Sequence, residues 1–331
     1  MNIVFHDEDN KGLDKYLLEL EKINVDAIIC SNMLVIEKAK ELTNLEIHLS
    51  TQFSVANSLL ANFFYNQGIK RVVLARETSL AEINTINKNT KADLEVFIHG
   101  GMCVSYSGRC TLSNYMVLRD ANRGGCAHSC RWLYNLYEKA NLISEDFDFQ
   151  MSSKDLEATN YIKDLLEFNI ASLKVEGRMK SIHYIATVIN TYRRMIDDYY
   201  NGYLREVSLY QEELKKAENR LTSFGFFGGD TTTKQQLYNS RSESPTKEFI
   251  GIVKDYHNET KTLIIQQRNY FQPGDKIEIL MPNKTIIQFI AKELFDEENN
   301  KIDAARHPLQ IIKIKLPISI EKNSMVRKVL N

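Results

Sequence analysis

The chain has 331 residues, of which 43% are hydrophobic and 26% charged, the composition of an ordinary globular protein. Its formal net charge of −1 gives no overall field for nucleic acid or anionic lipid, so any such contact must come from a local basic patch. No stretch approaches the roughly 20 apolar residues of a membrane helix, and the N-terminus lacks the regions of a secretory signal. We therefore expect a cytoplasmic protein with no membrane contact and with reduced thiols.

Short β-branched runs alternate with amphipathic helical patterns over residues 1–221. This alternation predicts a parallel sheet, either a barrel or a doubly wound sheet. Strands are expected at 2–5, 26–30, 45–50, 71–74, 94–99 and 172–176. Helices are expected over 13–23, over 53–66, after a capping box formed by Ser79 and Glu82, and over 182–200. A closed (β/α)8 barrel needs eight strands and roughly 250 residues, so this region is two strands short.

Residues 222–245 are rich in Gly, Ser and Thr, which is typical of a connector. Apolar and polar residues then alternate in short runs that are separated by turn signals. Strands are expected at 247–256, 261–269, 276–280, 285–291, 309–316 and 325–329. This spacing predicts a small antiparallel β-barrel. The sequence thus divides into an α/β domain at 1–221, a linker at 222–245 and a β-barrel domain at 246–331.

Four of the five cysteines lie inside residues 100–132, which we call the cysteine segment: Cys103, Cys110, Cys126 and Cys130. A buried core uses cysteine singly, as at Cys30, so clustered thiols indicate metal ligation or redox chemistry. Only the last pair has the close spacing of a structural zinc site, whereas an iron–sulfur cluster accepts ligands from several loops. Reduced thiols that line an active-site loop are the alternative interpretation.

Predicted strand ends carry the candidate catalytic residues. His99 ends one strand and precedes two glycines that allow close backbone approach, and in parallel α/β folds the carboxyl ends of the strands form the active face. Lys174 and Glu176 share one face of another strand, because side chains alternate with a period of two. Arg178 and Lys180 open the next helix, where a carboxylate or phosphate would be favoured. The alternatives are a locally satisfied histidine and an Arg–Glu ion pair that fixes the loop.

The cysteine segment also contains cations and aromatic rings: Arg109, Arg119, Arg123, Arg131, Tyr106 and Trp132. Cationic side chains among aromatics can bind phosphates and stack bases. A solvated polar face is an equally good interpretation from the residues alone.

Three motifs in this sequence, HGGMCVSYSGRC, NRGGCAHSCRW and SLKVEGRMKS, resemble the collagenase-like peptidase family U32 and occur in that family's order. The resemblance covers nearly the whole chain. It implies a TIM-like barrel, which in the family usually begins with two further βα units that this chain lacks. It also implies a C-terminal domain similar to the small β-barrels of translation factors.

Within that family the chain looks most like the prephenate-dependent tRNA hydroxylases, which convert wobble uridine to 5-hydroxyuridine. The resemblance implies tRNA as substrate, prephenate as cosubstrate and a [4Fe–4S] cluster. Cys103, Cys110 and Cys126 match three family cysteines. The fourth position, after a Met-Ser-x-x-Asp-Leu run, is Glu157 here, so either Glu157 or Cys130 completes the set.

The same resemblance implies residues that bind the carboxylates of prephenate, and it leaves two other functions open. Arg178, Lys174 and Arg123 suit the two carboxylates of prephenate, and Arg109, Arg131 and Lys180 are further substrate-binding candidates. The family name implies a peptidase that acts on collagen-like substrates, although the sequence shows no protease motif. The short N-terminus and Glu157 favour a third hypothesis, a non-catalytic partner of a full-length relative. A homo-oligomer is the alternative assembly.

Overall fold

The structure, a computed structural model, describes residues 1–145, 149–178, 180–217, 220–229, 231–237 and 247–329. Its contacts divide the chain into two compact units, each made of two stretches of sequence. The first comprises Met1–Glu176 and Leu221–Arg241, and the second comprises Gly177–Arg220 and Ser242–Asn331. None of the helices in the described ranges combines the length and the apolar character that a membrane span requires.

Strands and helices alternate in the first unit. Its helices are α1 Leu13–Lys22, α2 Met33–Leu42, α3 Ser58–Asn66, α4 Leu80–Asn89, α5 Leu112–Val117 and α6 Ile162–Glu167. Its strands are β1 Ala27–Cys30, β2 Glu46–Leu49, β3 Arg71–Val73, β4 Asp93–Gly100, β5 Tyr137–Glu138, β6 Asn141–Leu142, β7 Asp155–Glu157, β8 Ser172–Val175 and β9 Thr222–Ser223.

One sheet of seven strands organises this unit, in the order β1-β2-β3-β4-β7-β9, with β8 also paired to β4. The pairs β1–β2, β2–β3, β3–β4 and β4–β8 are parallel, so β2, β3, β4 and β8 present their carboxyl ends at one edge. All residues of β4 except the first are buried, which makes β4 the centre of the sheet. Strand β7 runs antiparallel to β4 and places Glu157 opposite His99.

Local capping explains where the helices begin. The side chain of Asn32 accepts the Leu34 N–H at the start of α2, and Asn57 caps α3 in the same way. The predicted capping box at Ser79 and Glu82 is confirmed: the Ser79 N–H donates to Glu82 Oε2 at 2.7 Å, and Ser79 Oγ accepts the Glu82 N–H at 3.3 Å.

The strands predicted at 26–30, 45–50, 71–74, 94–99 and 172–176 are present, each within one residue of its expected bounds. The strand predicted at 2–5 is wrong, because in the described structure these residues join no sheet. The Val4 N–H instead donates to the Asn122 carbonyl at 3.1 Å, so the cysteine segment satisfies this backbone.

Four short strands, β5, β6, β7 and β9, were not predicted. Strand β9 lies in the sequence assigned to the connector and runs parallel to β7. Residues 230 and 238–245 of that connector lie outside the described ranges. A barrel would require β1 to pair with β9, and no pairing among the described strands joins them. In place of the predicted TIM-like barrel, the described structure has a mixed, mainly parallel sheet.

The second unit joins two helices to an antiparallel sheet. The helices are α7 Ile182–Tyr200 and α8 Val207–Lys215. The strands are β10 Lys247–His257, β11 Thr262–Gln267, β12 Lys276–Leu280, β13 Ile286–Ile290, β14 Leu294–Phe295, β15 Lys301–Ile302, β16 Ile311–Lys315 and β17 Met325–Val329. They form one sheet in the order β13-β12-β17-β10-β11-β16-β14-β15. All six strands predicted here are present, the short β14–β15 hairpin was missed, and no described pairing closes the sheet into the predicted barrel.

Apolar packing and one ionic cluster hold the second unit together. Its core contains fully buried side chains from β10, β11 and β12, among them Ile250, Leu263 and Ile277. Arg327 on β17 is also fully buried, and its guanidinium donates to Glu213 at 2.8 Å and to Glu278 at 2.6 Å. A buried charge is tolerated only when it is paired in this way, so the cluster fixes α8 against β12 and β17.

Candidate functional site

A cavity of about 270 Å³ lies at the edge of the first unit's sheet where the parallel strands end. Its walls include residues that lie within four positions after the ends of four of those strands: Thr51 and Gln52 after β2, Arg76 and Glu77 after β3, Gly101 after β4, and Glu176 after β8. Open α/β sheets bind ligands at this edge, because loops from neighbouring strands converge there. The fold therefore brings residues that are far apart in sequence to one place.

The four cysteines of the cysteine segment line this same cavity: Cys103, Cys110, Cys126 and Cys130. Desolvation is the main cause that raises the pKa of Cys103 and of Cys130, and the neighbouring thiols raise it further. Within the described ranges, no three His, Cys, Asp or Glu side chains are arranged to hold a single metal ion. All four cysteines nevertheless line one cavity, and cysteine thiolates are the usual ligands of iron–sulfur clusters.

Gly100 lets the end of β4 approach the residue that follows β8. Its φ is +125°, and a methyl group at this position would lie 2.7 Å from Glu176 Cβ and 2.9 Å from the Glu176 carbonyl oxygen. The Glu176 N–H donates to the His99 carbonyl at 2.9 Å. His99 itself is buried, with 1% of its surface exposed, and it is not among the described residues that line the cavity.

Arg76 organises the floor of the cavity. Its guanidinium donates to the Gly101 carbonyl and to Glu176, and it lies 3.9 Å from the centre of the Phe97 ring. A planar guanidinium can make these contacts together, whereas an ammonium group could not. Lys174 on β8 and Glu176 just beyond it were both predicted to be catalytic. Of these two residues, Glu176 lies in the cavity wall.

Lys174 is paired with a buried acid and is not among the described residues that line the cavity. Its ammonium donates to Glu95 at 2.5 Å, and Glu95 is buried on β4. Arg178 and Lys180 belong to the second unit, where the Lys180 ammonium lies 4.8 Å from the centre of the Tyr184 ring. The structure thus groups Glu176, but not Lys174, with the cysteines.

The predicted substrate-binding arginines of the cysteine segment have different surroundings. Arg131 lines the cavity and has no ion-pair partner in the part of the chain that the structure describes. Arg109 is exposed, and its Nε donates to Ser54 Oγ at 3.2 Å. Arg123 is bound to the N-terminal residues, because it pairs with Asp9 and donates to the Val4 carbonyl at 2.6 Å.

Glu157 lies apart from the thiols. It is buried on β7, and its carboxylate accepts hydrogen bonds from Thr159 at 2.6 Å and from Thr222 at 2.8 Å. It is not among the described residues that line the cavity, whereas Cys130 is. The geometry therefore favours Cys130 over Glu157 as the fourth member of a ligand set.

Comparison with known proteins identifies the family to which the chain belongs. The sequence model for peptidase family U32 matches residues 1–237, and that for the U32 C-terminal domain matches residues 245–327. The chain belongs to peptidase family U32. The resemblance found in the three sequence motifs is thus confirmed.

Relatives within family U32 have names of two kinds. The chain is 44% identical to the tRNA hydroxylation protein P1 of Bacillus subtilis, over 99% of this chain and 80% of that protein. It is 30% identical to the tRNA hydroxylation protein P of Haemophilus influenzae, over 98% of this chain and 81% of that protein. It is also 32% identical to a collagenase of Porphyromonas gingivalis, over 95% of this chain and 76% of that protein.

Sequence reasoning did not select two residues of this U32 site. Arg76 and Glu77 follow β3 directly and line the cavity, and Glu77 accepts the Ser107 N–H at 2.9 Å. Their position at the carboxyl end of a predicted parallel strand was the available signal. Neither residue stands near a cysteine in the sequence, so its contact with the cysteine segment could not be read from spacing.

Proposed function

We propose that this chain is an RNA-hydroxylating enzyme that acts on tRNA and converts wobble uridine to 5-hydroxyuridine with prephenate as cosubstrate. One observation carries the proposal. Four thiols line a single cavity at the carboxyl edge of a parallel sheet, in a chain whose relatives include proteins named for tRNA hydroxylation.

A [4Fe–4S] cluster suits the four cavity thiols, and Cys103, Cys110, Cys126 and Cys130 would hold it. Such a cluster, when bound, supplies one-electron redox chemistry. The protein itself holds the four thiols around one cavity, and these thiols must lose their protons to bind the cluster as thiolates. Because desolvation raises the pKa of Cys103 and Cys130, ligation must release protons from both.

Arg131 is the best-placed partner for a carboxylate of the acid cosubstrate. It lines the cavity and is not neutralised by any described acidic side chain. Arg76, which the Glu176 carboxylate partly neutralises, also lines the cavity and would help to orient the same ligand. Lys174 and Arg123, which were expected to serve this purpose, are held by Glu95 and Asp9.

Nucleoside analysis of tRNA from a strain that lacks this gene tests the proposal. We expect loss of 5-hydroxyuridine and its derivatives, with recovery when the wild-type gene is restored but not when Arg131→Ala is supplied. Unchanged levels in a strain without a paralogue would overturn the proposal. Metal analysis and a visible spectrum of anaerobically purified protein test the cluster separately.

Peptidase activity is the second candidate, because of the similarity to a collagenase over most of the chain. It predicts that pure protein cleaves gelatin and that a single substitution in the cavity abolishes cleavage. Absence of cleavage in independent preparations that hydroxylate tRNA would remove this candidate.

A further inference from the structure

The turn that carries Tyr106 is held rigidly beside the thiols. The Ser107 N–H donates to Glu77 at 2.9 Å, the Ser54 hydroxyl donates to the Ser107 carbonyl at 2.6 Å, and the Arg109 N–H closes the turn onto the Tyr106 carbonyl at 3.0 Å. These bonds anchor the backbone from Tyr106 to Arg109. Any ligand that meets Tyr106 therefore meets a fixed position.

Gly108 brings the same turn directly against the loop that follows β2. Its φ is +75°, and a methyl group here would lie 2.4 Å from the Gln52 carbonyl oxygen. Backbone packed this closely leaves the turn little freedom to shift. The loop after β2 and Glu77 after β3 thus both restrain the position of Tyr106.

The Tyr106 ring itself is not used by the fold. The residue lines the cavity together with the four cysteines, yet 60% of its surface is exposed. Its hydroxyl has no hydrogen-bond partner, and its ring stacks on no other ring, in the described part of the chain. A large aromatic side chain left exposed at a fixed point in a cavity wall is typical of a ligand contact.

Two arginines accompany this ring: Arg109 closes the turn that carries Tyr106, and Arg131 lines the same cavity. The cysteine segment contains four arginines and one aspartate, a formal charge of +3, although the whole chain has a net charge of −1. Arg123 is paired with Asp9, whereas Arg109 and Arg119 are exposed. The segment therefore supplies the local basic residues that a nearly neutral chain needs for nucleic acid, and Arg131 places one of them at the cavity.

We infer that Tyr106 is the stacking platform for the target nucleobase of a single-stranded RNA loop, while Arg109 and Arg131 contact the flanking phosphates. The inference rests on the proposed function, which it extends by naming the residue that receives the base. Stacking on an aromatic ring suits an unpaired base, because every base has a π-face.

Binding of a fluorescein-labelled RNA stem-loop with a uridine-containing loop tests this inference without turnover. Full-length wild type is compared with Tyr106→Ala, Tyr106→Leu and Tyr106→Phe. We expect the alanine and leucine variants to bind about tenfold or more weakly, and the phenylalanine variant to keep affinity within about twofold. Leucine fills similar space without a π-face, so a packing role would survive in that variant and a stacking role would not.

Tyr16→Ala on α1 is the matched control, because Tyr16 is 51% exposed and does not line this cavity. It should bind the stem-loop like wild type. With tRNA from the deletion strain, Tyr106→Ala should raise KM far more than it lowers kcat, at unchanged visible absorbance per protein.

Two results would overturn the assignment of Tyr106 as the stacking platform. One is wild-type affinity for the stem-loop in Tyr106→Ala, and the other is an equal loss of affinity in Tyr106→Ala and Tyr16→Ala. A different result would show that the proposed function is wrong: wild-type protein would produce no hydroxylated nucleoside, whatever the stem-loop measurements show.

Discussion

Single residues at the edge of the parallel sheet decide whether the site can form. The predicted close approach at Gly100 is confirmed, since the backbone of Glu176 occupies the space where a side chain would lie. The cysteines could be selected from the sequence because clustered thiols are rare in a core. The Arg76–Glu176 pair could not, because 100 residues separate its members and only the strand order brings them together.

Gly100→Ala should destabilise the first unit by about 2 kcal/mol or more, because the methyl group meets backbone as well as a strained φ. Urea unfolding followed by circular dichroism measures the change. Gly124→Ala is the matched control: Gly124 also has a positive φ, of +83°, but no atom lies within 4 Å of the added methyl group. Equal losses in the two variants would show that contact with Glu176 is unimportant.

The iron content of variants at these two positions should show whether Cys130 or Glu157 is the fourth ligand. Cys130 lines the cavity, whereas Glu157 is hydrogen-bonded to two threonines away from it. We expect Cys130→Ser to lose most of the iron and sulfide after anaerobic purification, and Glu157→Gln to keep them.

The control for that measurement is Cys30→Ser. Cys30 is buried on β1, where desolvation raises its pKa to about 11, so it should not ligate metal. Iron loss in Glu157→Gln with retention in Cys130→Ser would reverse the assignment.

At the scale of whole elements, periodicity was a good guide to most long elements but not to all of them, since helices α2 and α8 were not predicted. Helix α7 has a clear 3.6-residue pattern and is confirmed, as are the strands of four or more residues in the antiparallel sheet. Short elements that were missed, such as β7 and β9, have only three and two residues and thus no period to detect. Nor does a hydrophobic pattern show that α7 buries a histidine.

His183 on α7 should make the second unit sensitive to acid. It is buried and stacks on Phe249 with ring centres 5.1 Å apart, and desolvation, followed by the charge of Arg327, lowers its pKa to about 4. The unfolded chain binds this proton below about pH 6.5 and the folded chain does not, so stability falls as the pH falls between these values. The loss attributable to His183 should be about 2 kcal/mol between pH 6.5 and pH 5.

Urea unfolding at the two pH values, followed by circular dichroism, measures this loss. His183→Phe keeps the ring stack without the titrating group and should remove most of the pH dependence. His257→Gln is the control, because His257 is exposed in the same unit and should leave the pH dependence as in wild type. Identical pH profiles for wild type and His183→Phe would contradict the assignment.

For the whole molecule, the sequence predicted a division into an α/β part and an antiparallel β part, but not how either sheet ends. Counting strands showed that the α/β part was two short of a barrel, and the described sheet is open. The N-terminal residues, expected to form a strand of that sheet, instead bind the cysteine segment through Val4 and Asp9. Long-range polar contacts of this kind leave no periodic signal in the sequence.

The Asp9–Arg123 pair should therefore govern how firmly the cysteine segment is held. The hydrogen bond from Arg123 is the main cause that lowers the pKa of Asp9 to about 2, so this carboxylate stays ionised at neutral pH. Asp9→Arg and Arg123→Asp should each speed amide hydrogen exchange over residues 119–126 and reduce tRNA hydroxylation, because like charges then face each other. The double variant exchanges the two charges and should restore slow exchange and much of the activity. If the double variant is as impaired as either single one, the pair does not act as a tie, and Arg123 must be returned to the list of substrate contacts.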